Sequence, residues 1–271
     1  MEEFIMTNQL TAKQEAFAQA LYRAYQEVDA LKESDWQEVV SDDQSAYQVQ
    51  ARVMELKGEP VGGYKVSLTS EQTQKMFESD CPLYGAQVAD RFLMAPATVS
   101  LQNLNEPLVE VELAFRAKED LDASASLEDL FTKTTVAGAV EVPDARFVNW
   151  FPDLSKYMVM SDCAVGGLVV YGFERDTQEV FADVADVAKV QADLFFNDEK
   201  VGGGQASEVL GNPLKALKWL VDTLDAQGKG GLKKGQVVSS GTFLLPPALK
   251  AGKWEARFDR GFGDVTVKVT K

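Results

Sequence analysis

Val109-Glu110-Val111-Glu112-Leu113-Ala114-Phe115 is the stretch on which the reading of this chain turns. In a strand, successive side chains point to opposite faces, so Val109, Val111, Leu113 and Phe115 share a core-facing side and Glu110 and Glu112 stand together on the other. Two carboxylates side by side in a partly buried place repel one another unless a cation or a shared proton offsets the cost. An oxygen-rich pair of this kind is what a hard Mg2+ or Mn2+ ion selects. A third acid follows in Ala139-Val140-Glu141-Val142-Pro143, between apolar neighbours, as on an adjoining strand with its carboxylate turned inward. Three such acids fill one facial half of an octahedron. A solvent-facing strand explains an isolated Glu-x-Glu better than a metal site does, so the pair draws its weight from what surrounds it.

Outward from this stretch the pattern is rich in sheet. Period-two alternation marks residues 97–101, 108–117 and 137–142, with a short helix at about 127–132. Residues 167–172 read as a buried strand. Residues 182–196 form a longer alternating run that turns at Asn197-Asp198-Glu199-Lys200 into a Gly-rich loop, as a hairpin does. Asn212 and Pro213 open a helix that stops at Gly228, and strands at about 236–239, 255–259 and 265–270 close the chain.

Towards the N-terminus the period changes to that of helices. Phe17, Leu21, Tyr25, Val28 and Leu31 recur at three- and four-residue steps in an amphipathic helix over residues 11–31. A second helix covers residues 43–57 and ends at Gly58. Gly62 and Gly63 break the chain before a strand at 64–68, and Thr69-x-x-Gln72 is a capping box for a helix to Phe77. The expected division is a helical α+β region over residues 1–88 and a β-rich catalytic domain over residues 89–271.

Composition narrows the chemistry. The 271 residues are 45% hydrophobic and 25% charged, enough for a proper core without staples. A net charge of −15 repels phosphate backbones and anionic lipid, so neither nucleic acid nor membrane is an expected partner. The acidic N-terminus lacks an apolar leader segment and no run of about 20 apolar residues is present, which makes a cytoplasmic location the expectation. Met6, just ahead of Thr7, offers an alternative start. Cys81 and Cys163 are far apart and form no CxxC pair. The chain contains no histidine, which removes Ser-His-Asp and Cys-His activation and His-bearing zinc sites together. Catalysis has to use carboxylates, lysine, tyrosine, hydroxyls or backbone dipoles.

The order and spacing of several motifs resemble the 2-hydroxypentadienoate (2-keto-4-pentenoate) hydratase and 4-oxalocrotonate decarboxylase branch of the fumarylacetoacetate hydrolase superfamily. They are Gly63-Tyr64-Lys65-Val66-Ser67-Leu68-Thr69-Ser70, Asp80-x-Pro82-x-Tyr84-Gly85, the Glu110/Glu112 pair, Glu141 with Asp144-x-Arg146, Asp162-x-Ala164, Gly211-Asn212-Pro213 and Ser239-Ser240-Gly241-Thr242. The resemblance implies an α+β fold, a small helical N-terminal region packed on a β-rich roll-like domain, and a homo-oligomer built from dimers. It implies Mg2+ or Mn2+ on Glu110, Glu112 and Glu141, with Lys65 and Asp80 facing the substrate as catalytic groups. Ser240, Thr242 and Leu68 would contact the substrate, the Ser-Gly-Thr turn orienting its carboxylate. Asp144 and Arg146 would form an ion pair behind the third ligand. Where many hydratases of this branch read Asp-Asn-Ala-Ser-Ser-Gly, this chain reads Asp162-Cys163-Ala164-Val165-Gly166-Gly167, so a hydroxyl-bearing stretch has become apolar.

The implied substrate is a small 2-oxo or 2-hydroxy-dienoic acid of the kind met in the catabolism of aromatic compounds. Such an acid chelates a cation through its carboxylate and C2 oxygen, and the cation then stabilises an enolate when a proton or CO2 leaves C3. Hydration of a 2-hydroxy-2,4-dienoate is the leading expectation. Decarboxylation of 4-oxalocrotonate is the first alternative, and an acylpyruvate-type C–C hydrolase or a catalytically silent relative is the second.

Overall fold

The computed structural model describes residues 9–271, so the alternative start at Met6 lies outside the described residues. Helix α1 (Ala12–Glu27) is opened by a capping box in which the Thr11 hydroxyl accepts from the Gln14 amide and Gln14 answers the Thr11 amide. It ends sooner than its apolar spacing predicts, because Val28 adopts a left-handed conformation (φ 55°) and Leu31 leaves the helix to bridge Phe147. Helix α2 (Asp43–Lys57) has the predicted bounds, with Asp42 as its cap and Gly58 (φ 70°) as its stop.

The next elements in order are β1 (Val61–Ser67), α3 (Glu71–Met76), β2 (Leu83–Val88), β3 (Phe92–Met94), β4 (Ala97–Ser100), β5 (Glu110–Ala117), α4 (Leu127–Thr132), β6 (Thr134–Val142) and α5 (Lys156–Ser161). Then follow β7 (Leu168–Tyr171), β8 (Arg175–Asp176), α6 (Thr177–Val180), α7 (Val184–Val187), β9 (Gln191–Phe196), β10 (Glu199–Gln205), α8 (Pro213–Ala226), β11 (Val237–Ser239), β12 (Gly252–Phe258) and β13 (Asp264–Thr270). Three expectations are corrected in detail. The capping box of α3 is Ser70 with Thr73, one residue beyond the pair read from sequence. The alternating run at 182–196 is a strand only from Gln191; before it, the Asp183 carboxylate caps the short α7. Gly62 and Gly63 lie inside β1, and a Cβ on Gly63 would meet the Val237 carbonyl oxygen at 2.0 Å, so this glycine is what lets β11 pair beside it.

Two sheets form the body. One has the order β2-β1-β11-β5-β6-β7-β3, with β8 on β6; the other runs β10-β9-β12-β13-β4. Val111, Leu113 and Phe115 are wholly buried in the main core, as their alternation requires. The opposite face of the same strands carries the acids and then a small apolar cluster of Ala114, Ala139, Val169 and Val237. Because β1 and β2 belong to the same sheet as β5 to β7, the division at residue 88 runs through that sheet, and the site described next draws on both sides of it.

Candidate metal centre and active-site cleft

On antiparallel β5 and β6, Glu110 stands directly opposite Glu141, and Glu112 lies two residues along on the same face. One carboxylate oxygen from each of the three falls within 4.8 Å of the others. Glu112 and Glu141 are buried and Glu110 is half-buried. Burial, reinforced by the charge of Glu141, pushes the Glu110 carboxyl up to about 8. The same two causes, with Glu110 added, raise Glu112 well above the ordinary carboxylate range.

Lys65 comes to this cluster from β1. With β11 and β5 lying between β1 and β6, a flat sheet would hold the two strands roughly 14 Å apart, three spacings of about 4.8 Å. The sheet curls, and Lys65 Nζ sits 2.7 Å from Glu141 Oε1. Burial pulls the lysine towards neutrality, but Glu141, Glu110 and Glu112 together outweigh it and hold Lys65 charged.

Glu112 is fixed from a different side. Its Oε2 accepts the Ser239 hydroxyl at 2.5 Å and the Gly241 amide at 2.8 Å. The sequence reading placed substrate contact on Ser240 and Thr242 and gave Ser239 no role. In the structure the Ser240 hydroxyl is buried without a hydrogen-bond partner, while Thr242 borders the cleft and spends its hydroxyl on the Leu244 carbonyl. The signal for Ser239 was its place at the end of β11, where strand alternation sends its hydroxyl, and not that of the next residue Ser240, towards the acids.

One acceptor in the centre remains unmatched: Glu141 Oε2 is buried with no hydrogen-bond partner. An orphaned carboxylate oxygen among three converging acids is a costly arrangement that a hard divalent cation resolves, so the residues present fit Mg2+ or Mn2+ held by Glu110, Glu112 and Glu141.

The acids open into a cleft of about 550 Å3, mouth included. Lys65, Glu110 and Glu112 form its floor, and Leu68 (φ 57°) borders it with Thr69. Asp80 does not border the cleft: it is exposed, three residues beyond the bordering Phe77. One wall is Val165, which belongs to three successive residues, Cys163, Ala164 and Val165, with φ of 51°, 55° and 49°. Left-handed backbone costs roughly 1–2 kcal/mol per residue outside glycine, and a β-branched valine there is unusual. Buried groups hold the turn in place. Arg146 Nη1 donates to the Gly166 carbonyl at 2.7 Å, Asp144 N to Val165 O at 2.8 Å, and Gln87 Nε2 to Cys163 O at 3.2 Å. Arg146 pairs with Asp162 (2.5 Å), correcting the expected Asp144 pairing; Asp144 instead accepts the amides of Asn105 and Glu106.

No family model matches the chain. The 4-oxalocrotonate decarboxylase of Pseudomonas putida G7, solved with magnesium and adipate, shares the fold with a TM-score of 0.86 at 24% identity, over 97% of this chain and 99% of that one. A putative fumarylacetoacetate hydrolase family protein from Yersinia pestis CO92 shares it with a TM-score of 0.59 at 14% identity, over 78% of this chain and 93% of that one. The fold is thus the α+β fold of fumarylacetoacetate hydrolase proteins. In sequence, the 2-keto-4-pentenoate hydratase of Burkholderia vietnamiensis is 32% identical over 227 residues, 83% of this chain and 84% of that protein. The chain belongs to the 2-keto-4-pentenoate hydratase family.

Proposed function

We propose that this protein is a divalent-cation-dependent hydratase acting on a 2-hydroxy-2,4-dienoate and its 2-oxo-enoate tautomer. The observation that carries the reading is the convergence of Glu110, Glu112 and Glu141 on one point beside a charged, buried Lys65 at the floor of a cleft. A bound Mg2+ or Mn2+ would supply positive charge for the carboxylate and C2 oxygen of a 2-oxo acid. The protein's own part is distinct. Glu112 is locked by Ser239 and Gly241, Lys65 holds a proton at the cleft floor, and the apolar walls exclude bulk water. Asp80, exposed and outside the lining of the cleft, has no part in this reading.

Loss of 2-hydroxypenta-2,4-dienoate by metal-stripped protein, with and without added Mg2+ or Mn2+, tests the reading beside a Glu110→Gln/Glu112→Gln variant. Cation-dependent loss that the variant lacks is the expected result. CO2 release from 4-oxalocrotonate without dienoate loss would reassign the protein as a decarboxylase, the reading favoured by its near-complete fold match to that enzyme.

A cytoplasmic setting and a homo-oligomer built from dimers belong to the same proposal. Two unpaired cysteines support the first. Exposed Met94 and Phe173, beside the edge where β3 pairs with β7, support the second. Light scattering on the native protein and on Phe173→Glu checks it.

A further inference from the structure

We infer that a second groove, on the far side of β1 and β2 from the acids, is a binding site for a planar aromatic carboxylate. The inference stands apart from the hydratase reading, since the cleft and the groove have no lining residue in common.

The groove runs between the start of α2 and the end of α8 and holds about 1240 Å3, open side included. Behind it lies Tyr84 of β2. Tyr84 pairs with Val66 and meets the Tyr64 ring edge-on at 5.7 Å, so it shares their face of β1, whereas Lys65 between them points to the acids. Two aromatic side chains border the groove: Tyr47, stacked on Tyr84 with centroids 4.5 Å apart, and half-buried Trp219, 6.5 Å from the same ring. Such faces take up a further ring by offset or edge-on stacking.

The polar side of the groove is cationic. Lys229 Nζ donates to Tyr84 Oη at 2.6 Å, and Tyr84 Oη donates to Gln227 Oε1 at 2.5 Å. This relay sets the ammonium beside the Gln227 side chain and leaves two ammonium protons and the Gln227 Nε2 amide to donate elsewhere. Lys229 has no ion-pair partner among the described residues, in a chain with 42 acids to 27 bases. Its stem is exposed, but burial of the ammonium pulls it below the ordinary lysine range, a cost that an anion in the groove offsets. Nor is the lysine needed to close α8, because the amides of Gln227, Gly228 and Lys229 already donate to the carbonyls of Thr223, Asp225 and Leu224. Asp43, the other charged group on the lining, faces Lys156 at 3.6 Å. An ammonium and an amide donor side by side, next to two aromatic faces, fit a carboxylate carried on a flat ring.

Calorimetric titration of the Mg2+-loaded protein with 2-naphthoate tests the site. A dissociation constant of about 1 mM or tighter is expected, the affinity of an ordinary ligand of that size. It should be unchanged in the Glu110→Gln/Glu112→Gln variant, which separates the groove from the metal centre. Lys229→Met, at an exposed position, is expected to weaken binding roughly tenfold or more, the worth of hydrogen bonds from a charged group. Trp219→Leu should weaken it several-fold. Octanoate, equal in charge but without a planar face, should bind several-fold more weakly than 2-naphthoate. No binding, binding lost in the Glu110→Gln/Glu112→Gln variant, unchanged affinity in Lys229→Met, or octanoate bound as tightly as 2-naphthoate overturns the inference.

Discussion

Lys65 Nζ and Glu141 Oε1 lie 2.7 Å apart with both side chains almost wholly buried, although the strands that carry them have two others between them. The contact joins residues 1–88 to the β-rich remainder of the chain at the place where chemistry is proposed. It also leaves Glu141 half-satisfied, with one oxygen on the ammonium and one for a cation.

Lys65→Met is therefore expected to have two separable effects. Turnover of the dienoate should fall by roughly 10²–10⁴, the usual worth of a positioned proton donor. The metal-free protein should also lose about 3–5 kcal/mol, because removing one partner leaves the other carboxylate buried and unpaired. Denaturant titration checks the second effect. Wild-type turnover in a folded Lys65→Met protein would remove the lysine from the mechanism.

The acids predict how stability depends on pH when the cation is removed. Glu110 titrates at about 8 in the folded protein against an ordinary 4.5. Between those values the folded state keeps a proton that the unfolded chain has released, so stability falls as pH rises through that window and levels off above it. Glu112, also raised, acts in the same direction. The thermal midpoint of chelator-treated protein is expected to drop from about pH 5 to about pH 8, and the increment from added Mg2+ to grow over the same range. Glu110→Gln should flatten the slope, and a slope of opposite sign would refute the assignment.

Ser239→Ala addresses how Glu112 is held. The hydroxyl orients one carboxylate oxygen, as outer partners of metal ligands commonly do, and its loss should weaken Mg2+ binding roughly 10–100-fold. The metal-free fold should change by only about 1 kcal/mol. Calorimetric titration with Mg2+ distinguishes this from a general loss of structure.

How far the sequence exposed this architecture follows the range of the interactions involved. The bounds of α2 and α4 were legible because caps and periodicity are local. Alternation also placed Glu110 and Glu112 on one face, since the strand period is two wherever the strand lies. The Lys65–Glu141 contact was not legible: it depends on sheet curvature, to which no single segment is committed. The partner of Arg146 was misread for the same reason, nearness in sequence to Asp144 having stood in for nearness in space. The left-handed turn at 163–165 was hidden because Cys-Ala-Val carries no Gly or Asn to announce it.

That turn supplies the last prediction. Cys163, Ala164 and Val165 keep an unfavourable backbone because Arg146, itself anchored on Asp162, grips the Gly166 carbonyl beyond them. Arg146→Met should cost about 3–5 kcal/mol by stranding the Asp162 carboxylate. An Arg146→Met/Asp162→Leu pair should recover most of that loss, since replacing both ions by apolar groups strands neither. Recovery of stability should not restore the wall. Without the grip on Gly166 the turn is free to relax, and Val165 leaves its place in the cleft. The double variant is thus expected to be nearly as stable as wild type in denaturant titration and yet to bind an unreactive 2-oxo acid such as 2-oxohexanoate several-fold more weakly. Equal binding would mean that the turn holds its shape without Arg146, and that its strain is balanced by the packing of the apolar wall.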